Sequence, residues 1–198
     1  LSERLAAAPP PWLGALSGVI ETYRSTDPAS PLPQPRHLKG AADADVRLTL
    51  FTDTECGHCA QLHAALTVME QLFPEGAFHV DSRHFPLDGA CNPYLQPNPD
   101  RASCAAARAR VCLEDHPSLW QLETELYARQ QDLSEAVIFE VLGPHVEVDA
   151  LRACMASPET ERALSEDVEF AMVYDPHGTP LVLVNGRQWT QDAMMLYV

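Results

Sequence analysis

The chain has 198 residues with 28 acidic against 13 basic side chains, a formal net charge of −15, and 46% hydrophobic residues. That hydrophobic share supports a buried core and excludes general disorder. The acidity argues against binding nucleic acid or anionic lipid, which needs clustered Lys and Arg, and no apolar run approaches the ~18 residues that span a bilayer.

The sequence starts at Leu1 without a signal-peptide pattern of charged start, apolar middle and small-residue cleavage site. It reads as a mature or excised segment, so any targeting or anchoring element is expected outside it. Residues 1–45 differ from the remainder. A short amphipathic helix is predicted after Pro9–Pro11, with Leu13, Leu16, Val19, Ile20 and Tyr23 near one face. The stretch D-P-A-S-P-L-P-Q-P (27–35) suits an extended arm, because proline fixes φ and lacks an N–H.

Val46–Phe51 alternates and is predicted as a strand. From Gly57, the residues Cys59, Leu62, Leu66, Met69 and Phe73 recur at three- and four-residue steps, a helical stripe that Pro74 and Gly76 stop. Ala77–Phe85 is a second strand, completing a parallel crossover unit. Residues 87–100 are loop by composition. Helices are predicted over Arg101–Asp115, after Pro117, from an N-cap at Ser134 to about Leu142, and at 148–156 and 158–173. Trp120 and Tyr127 read as core between these helices. H-G-T-P (177–180) then leads into the short strand L-V-L-V before N-G.

The stretch E-C-G-H-C-A (55–60) falls where the first strand gives way to its helix. Free backbone N–H groups and the helix dipole favour negative charge there. A thiolate at Cys56 is thereby stabilised and made nucleophilic. His58 is expected to add a cationic or hydrogen-bonding group, and Gly57 to let a partner backbone approach. Cys59 lies one turn on, on the inner stripe, placed to resolve a mixed disulfide on Cys56. A zinc site would need two further ligands. His63 and His84 are the nearest histidines, but no second CxxC or HxxxH is present and His63 reads as an exposed helix residue. No metal or cofactor is expected. Cys91, Cys104, Cys112 and Cys154 bring the cysteine count to six, an even number that favours an oxidising compartment.

Three motifs in order carry a resemblance: F-T-D-T-E-C-G-H-C (51–59), R-H-F-P-L-D-x-x-C-N (83–92) and G-T-P-L-V-L-V-N-G-R (178–187). They resemble the DsbA-like branch of the thioredoxin-fold disulfide oxidoreductases, and most nearly the thioredoxin-like domains fused to, or working with, bacterial homologues of vitamin K epoxide reductase. The resemblance runs from about Val46 to Arg187. It implies an α/β thioredoxin fold with an inserted helical subdomain: core at 46–86 and 175–198, insertion at 87–174, and the arm at 1–45 uncovered. It implies that Cys56 and Cys59 are the redox pair, that the Thr179–Pro180 bond is cis, and that Thr179 and Pro180 receive an extended client beside the thiols.

The function it implies is thiol–disulfide exchange on extracytoplasmic, periplasmic proteins, as oxidase or isomerase. The partners would be protein thiols and a membrane reoxidant of the vitamin K epoxide reductase or DsbB type, with any membrane tether outside this segment. The alternative is a docking module on a membrane partner with a static Cys56–Cys59 bridge.

Two departures from the family stand out. The buried acid that many such enzymes carry six positions before the first cysteine is here Leu50, with Asp53 and Glu55 nearer the thiols but expected to be more exposed. The Gly57-His58 dipeptide resembles that of protein disulfide isomerases rather than the Pro-His of strongly oxidising DsbA. With Cys56 and Cys59 assigned, an uninterrupted helix excludes Cys104–Cys112, since eight residues rise ~12 Å and disulfide Cα atoms lie within roughly 7 Å. Two pairings remain. Cys91–Cys104 with Cys112–Cys154 is preferred as structural staples, and a second redox pair at Cys91–Cys104 is the sharper alternative.

Overall fold

The computed structural model describes residues 21, 23–25, 27–28, 33–74 and 76–189. Most of the predicted amphipathic helix before Tyr23, and everything after Trp189, lie outside the described residues.

Among the described residues, five strands form one mixed sheet in the order β1-β3-β2-β4-β5. They are β1 (His37–Gly40), β2 (Arg47–Thr52), β3 (His79–His84), β4 (Leu181–Val184) and β5 (Arg187–Gln188). β2 and β3 run parallel, joined by the crossover helix α1 (Gly57–Leu72), while the remaining pairs are antiparallel. Between β3 and β4 come five helices: α2 (Ser103–Cys112), α3 (Leu119–Ala128), α4 (Glu135–Leu142), α5 (Val148–Met155) and α6 (Pro158–Met172).

The side-chain alternation of β2 explains its central place. Leu48 and Leu50 point to the face covered by α1, where they pack with Leu62, Leu66, Met69, Val80 and Val182. Phe51 points to the other face and packs with Val168 and Ala171 of α6 and with Leu181 and Leu183. A strand buried on both faces belongs in the middle of a sheet. Each fully buried Leu or Phe contributes roughly 1.5–3 kcal/mol. The hairpin from β4 to β5 turns at Asn185 and Gly186, both at positive φ (47° and 78°), the backbone that an Asn-Gly pair supplies for a two-residue turn.

The inserted helices have their own core, built from Ala106, Ala109, Leu119, Leu122, Leu126, Ile138 and Leu142 among others. Ser134 caps α4, its side chain accepting from the Val137 N–H, and Ser157 caps α6 in the same way ahead of Pro158. Two disulfides staple this region: Cys91–Cys104, and Cys112–Cys154, which ties α2 to α5.

Two differences from the sequence reading have physical causes. His37–Gly40, within the arm read over 1–45, is an edge strand paired antiparallel with β3; four residues are too few for an alternation to show. Trp120 faces away from the insertion core. Its ring packs against the sheet-facing cluster under α1, and its indole N–H donates to Thr67 Oγ1 at 2.9 Å.

Candidate active site

β2 ends at Thr52, and the chain makes a tight turn before α1. Asp53 organises that turn. Its carboxylate accepts the Glu55 N–H through Oδ1 and the Leu87 N–H through Oδ2, both at 2.6 Å, while its carbonyl accepts the Cys56 N–H at 3.1 Å. Glu55 then reaches to the start of α2, where its Oε2 accepts from Ser103 Oγ at 2.7 Å, the Ala102 N–H at 3.1 Å and Arg101 Nε at 3.2 Å. The expectation that both acids are rather exposed is corrected. Asp53 is 2% exposed and Glu55 half-buried, because their oxygens satisfy backbone donors of the turn and of α2 that would otherwise be orphaned.

Cys56 is the N-cap of α1, with extended backbone (φ −85°, ψ 115°) and its sulfur accepting from the Cys59 N–H at 3.2 Å. When protonated, its thiol also donates to the Thr179 carbonyl at 3.3 Å. The Thr179–Pro180 peptide is cis, and β4 begins directly after it, so the β4–β2 pairing brings this turn beside the start of α1. Cys56 is half-buried, while Cys59 is fully buried beneath it.

The two thiols are driven apart in acidity. The Cys59 thiol hydrogen-bonded to the Cys56 sulfur lowers Cys56 most, to about 6, against the opposing effect of burial. The Thr179 side chain adds to this, as do the main-chain N–H groups of Cys59 and His58. Burial first, and the neighbouring Cys56 second, push Cys59 far above its ordinary value. Cys56 is thus a thiolate at neutral pH and Cys59 a thiol.

The structure brings Cys56, Gly57, His58, Cys59, Thr179 and Pro180 together. Gly57 and His58 are exposed, and a Cβ built on Gly57 would meet nothing within 4 Å. His58 contributes its main-chain N–H to the Cys56 sulfur, and the residue itself is exposed. Cys91, Cys104, Cys112 and Cys154 stand apart from Cys56 and Cys59 in the two staples.

His63 corrects another expectation. It is 6% exposed, stacked on Trp120 at 4.0 Å between ring centroids, with Nε2 2.8 Å from Thr124 Oγ1. Burial lowers it to about 4, so the ring is neutral.

Sequence reasoning missed a buried polar cluster behind Cys59. Arg110 of α2 donates through Nε to Glu123 Oε1 at 2.8 Å and through both terminal nitrogens to Thr52 Oγ1 at 3.1 Å. Both partners of this ion pair are 2% exposed. The available signal was periodicity: Glu123 sits four residues after Leu119 and four before Tyr127, on the apolar stripe of α3, where an unpaired charge would be too costly.

A family model described as Thioredoxin matches residues 33–195. Among curated relatives, the Na(+)/H(+) antiporter NhaA 1 of Salinispora arenicola is 30% identical over 195 residues, covering 93% of this chain and 27% of that protein. The chain spans about a quarter of the length of the curated relatives it matches. Among solved structures, oxidised BdbD from Bacillus subtilis superposes with a TM-score of 0.69 at 14% identity, covering 87% of this chain and 94% of that one. Wolbachia pipientis alpha-DsbA1 follows with a TM-score of 0.63 at 17% identity, covering 78% and 77%. The architecture shared with these structures is the mixed sheet of a thioredoxin fold with helices inserted between β3 and β4.

Proposed function

Since this chain belongs to the thioredoxin family, we propose that it is a thiol–disulfide oxidoreductase that forms or rearranges disulfides in extracytoplasmic proteins through Cys56 and Cys59. The observation that carries this reading is the asymmetry of the pair: an accessible, acidified Cys56 at a helix N-cap above a buried, protonated Cys59. A static bridge has no use for such a division, whereas exchange needs one sulfur to meet clients and another to resolve them.

In the oxidising direction a client thiolate attacks Cys56 in the Cys56–Cys59 disulfide. The client–Cys56 bond forms, and Cys59 leaves with the electron pair and takes up a proton. A second client thiolate then displaces Cys56, which departs as its stabilised thiolate, and the client is oxidised. An extended client would lie against Thr179 and Pro180 along the half-buried Cys56 thiol, with the open space at Gly57 beside it. A membrane reoxidant of the vitamin K epoxide reductase or DsbB type would restore the disulfide. In this reading 46–86 and 175–198 form the core and 87–174 the insertion, with β1 of the 1–45 arm added to the sheet.

The test is the potential of the Cys56–Cys59 couple against glutathione. A value near those of disulfide isomerases or DsbA supports exchange, and one below about −300 mV would rule it out in favour of a static bridge. Refolding of a scrambled substrate separates isomerase from oxidase, because isomerisation needs reduced Cys56.

A second reading rests on the similarity to proteins named as Na(+)/H(+) antiporters. Here the domain docks on, or belongs with, an antiporter-type membrane partner, and the Cys56–Cys59 bridge is static. Transport by such a partner that is indifferent to Cys56→Ser but lost on removal of the domain would favour it.

A further inference from the structure

Exchange at Cys59 needs a place for its proton. The sulfur is fully buried, and the strand position that carries an acid in many thioredoxin-fold enzymes is Leu50, which is 3% exposed and apolar. Cys59, Leu50, His63, Arg110 and Glu123 border one small space of about 10 Å³, close to what a single water requires. The carboxylate facing this space therefore comes from the helical insertion.

Its two oxygens have different surroundings. Glu123 Oε1 is held by Arg110 at 2.8 Å, while Oε2 lies 3.7 Å from His63 Nδ1. The Thr124 hydroxyl donates to the Trp120 carbonyl at 3.0 Å, so it accepts from His63 Nε2 at 2.8 Å. That assigns the ring proton to Nε2 and leaves the Nδ1 lone pair facing Glu123. Thr124 is exposed. A line of titratable and hydroxyl groups thus runs from the sealed thiol to solvent, along the contact between α1 and α3.

We propose that Glu123, relayed through His63 to Thr124, handles the proton of Cys59 in place of the carboxylate that position 50 lacks. This rests on the oxidoreductase reading and deepens it.

In ring closure the Cys59 thiol gives its proton to Glu123 across the small cavity. Its sulfur attacks Cys56 in a mixed disulfide, the Cys59–Cys56 bond forms, the Cys56–partner bond breaks, and the partner leaves as a thiolate with the electron pair. The proton on Glu123 passes to His63 Nδ1 while Nε2–H is released toward Thr124. In ring opening Cys59 leaves with the electron pair and the proton returns. His63, neutral because burial holds it near 4, suits the relay. The titratable and charged groups around Glu123 are Arg110 from α2, Cys59 and His63 from α1 and Tyr127 from its own helix, with Lys39 of β1 beyond His63.

The test uses the whole chain. Reduced protein is mixed with glutathione disulfide, and release of glutathione from the Cys56 mixed disulfide is followed across pH. Glu123→Gln should slow this ring closure roughly 100-fold at neutral pH, the scale of a lost general base, and shift its pH dependence to the alkaline side. The pH profile of Cys56 alkylation should stay in place. Because Glu123→Gln leaves Arg110 buried without its counter-charge, the double variant Arg110→Met with Glu123→Gln is measured beside it and should show the same slowing. Ring closure at the wild-type rate and pH dependence in either folded variant overturns the proposal, even if thermal stability falls. Failure of the wild-type protein to form the mixed disulfide at all would overturn the oxidoreductase reading itself.

Discussion

A single sulfur at a helix N-cap sets the chemistry of this site, and its acidity is measurable. In the reduced protein, alkylation of Cys56 by iodoacetamide should follow a titration centred near pH 6, with Cys59 unmodified until the protein is unfolded; a midpoint near 9 would show that the Cys59 thiol, Thr179 and the N-cap N–H groups do not acidify it. Linkage adds a consequence for stability. Folded Cys56 loses its proton near 6, whereas unfolded Cys56 loses it near the ordinary value of 9.0. Between these values the unfolded chain binds more protons, so the reduced form gains stability as pH rises from about 6 to about 9 and loses that gain as pH falls back through 6. The oxidised form lacks this dependence, and paired melting curves of the two forms across that window check it. Cys56 could be read from spacing alone, because a CxxC at a strand-to-helix junction places its first sulfur at the N-cap. The burial of Asp53 could not, since its carboxylate is satisfied by the Leu87 N–H from beyond the next strand.

Between elements, charge and covalent staples do what apolar packing does inside each core. Asp167 of α6, fully buried, joins its helix to the sheet: Oδ1 accepts from Arg83 Nη1 at 2.9 Å and Arg36 Nε at 3.0 Å, and Oδ2 from the His84 N–H at 3.0 Å. Asp167→Ala leaves Arg83 buried with only Asp81 as counter-charge and should cost about 3–5 kcal/mol in urea unfolding. A loss under 1 kcal/mol would mean that the network is not holding α6. The Cys112–Cys154 bridge closes 42 residues of chain, and replacing both cysteines by Ala should lower stability by ~4 kcal/mol on the chain-entropy model. For Cys91–Cys104 the corresponding figure is ~3 kcal/mol. Turnover should persist in that variant while melting falls; lost turnover with unchanged melting would make it a second redox pair.

Across the whole molecule, a net charge of −15 on 198 residues sets up a field that attracts basic polypeptides and repels acidic ones. On the oxidoreductase reading proposed above, exchange with a basic unfolded substrate should slow as salt rises, while that with an acidic one should quicken; equal responses would remove electrostatic steering from the account. The sequence by itself determined the crossover unit, the inserted helices and the place of Cys56 at the start of the crossover helix, because period-2 and period-3.6 patterns and an N-cap cysteine are local properties of neighbouring residues. Only the tertiary structure decided what surrounds those sulfurs. It set the Thr179 turn against Cys56, made β1 part of the sheet, turned Asp53 inward, and aimed Glu123 from an inserted helix at the space behind Cys59. Those contacts join residues tens of positions apart. Their energies come from burial and pairing across elements, which spacing along one segment does not encode.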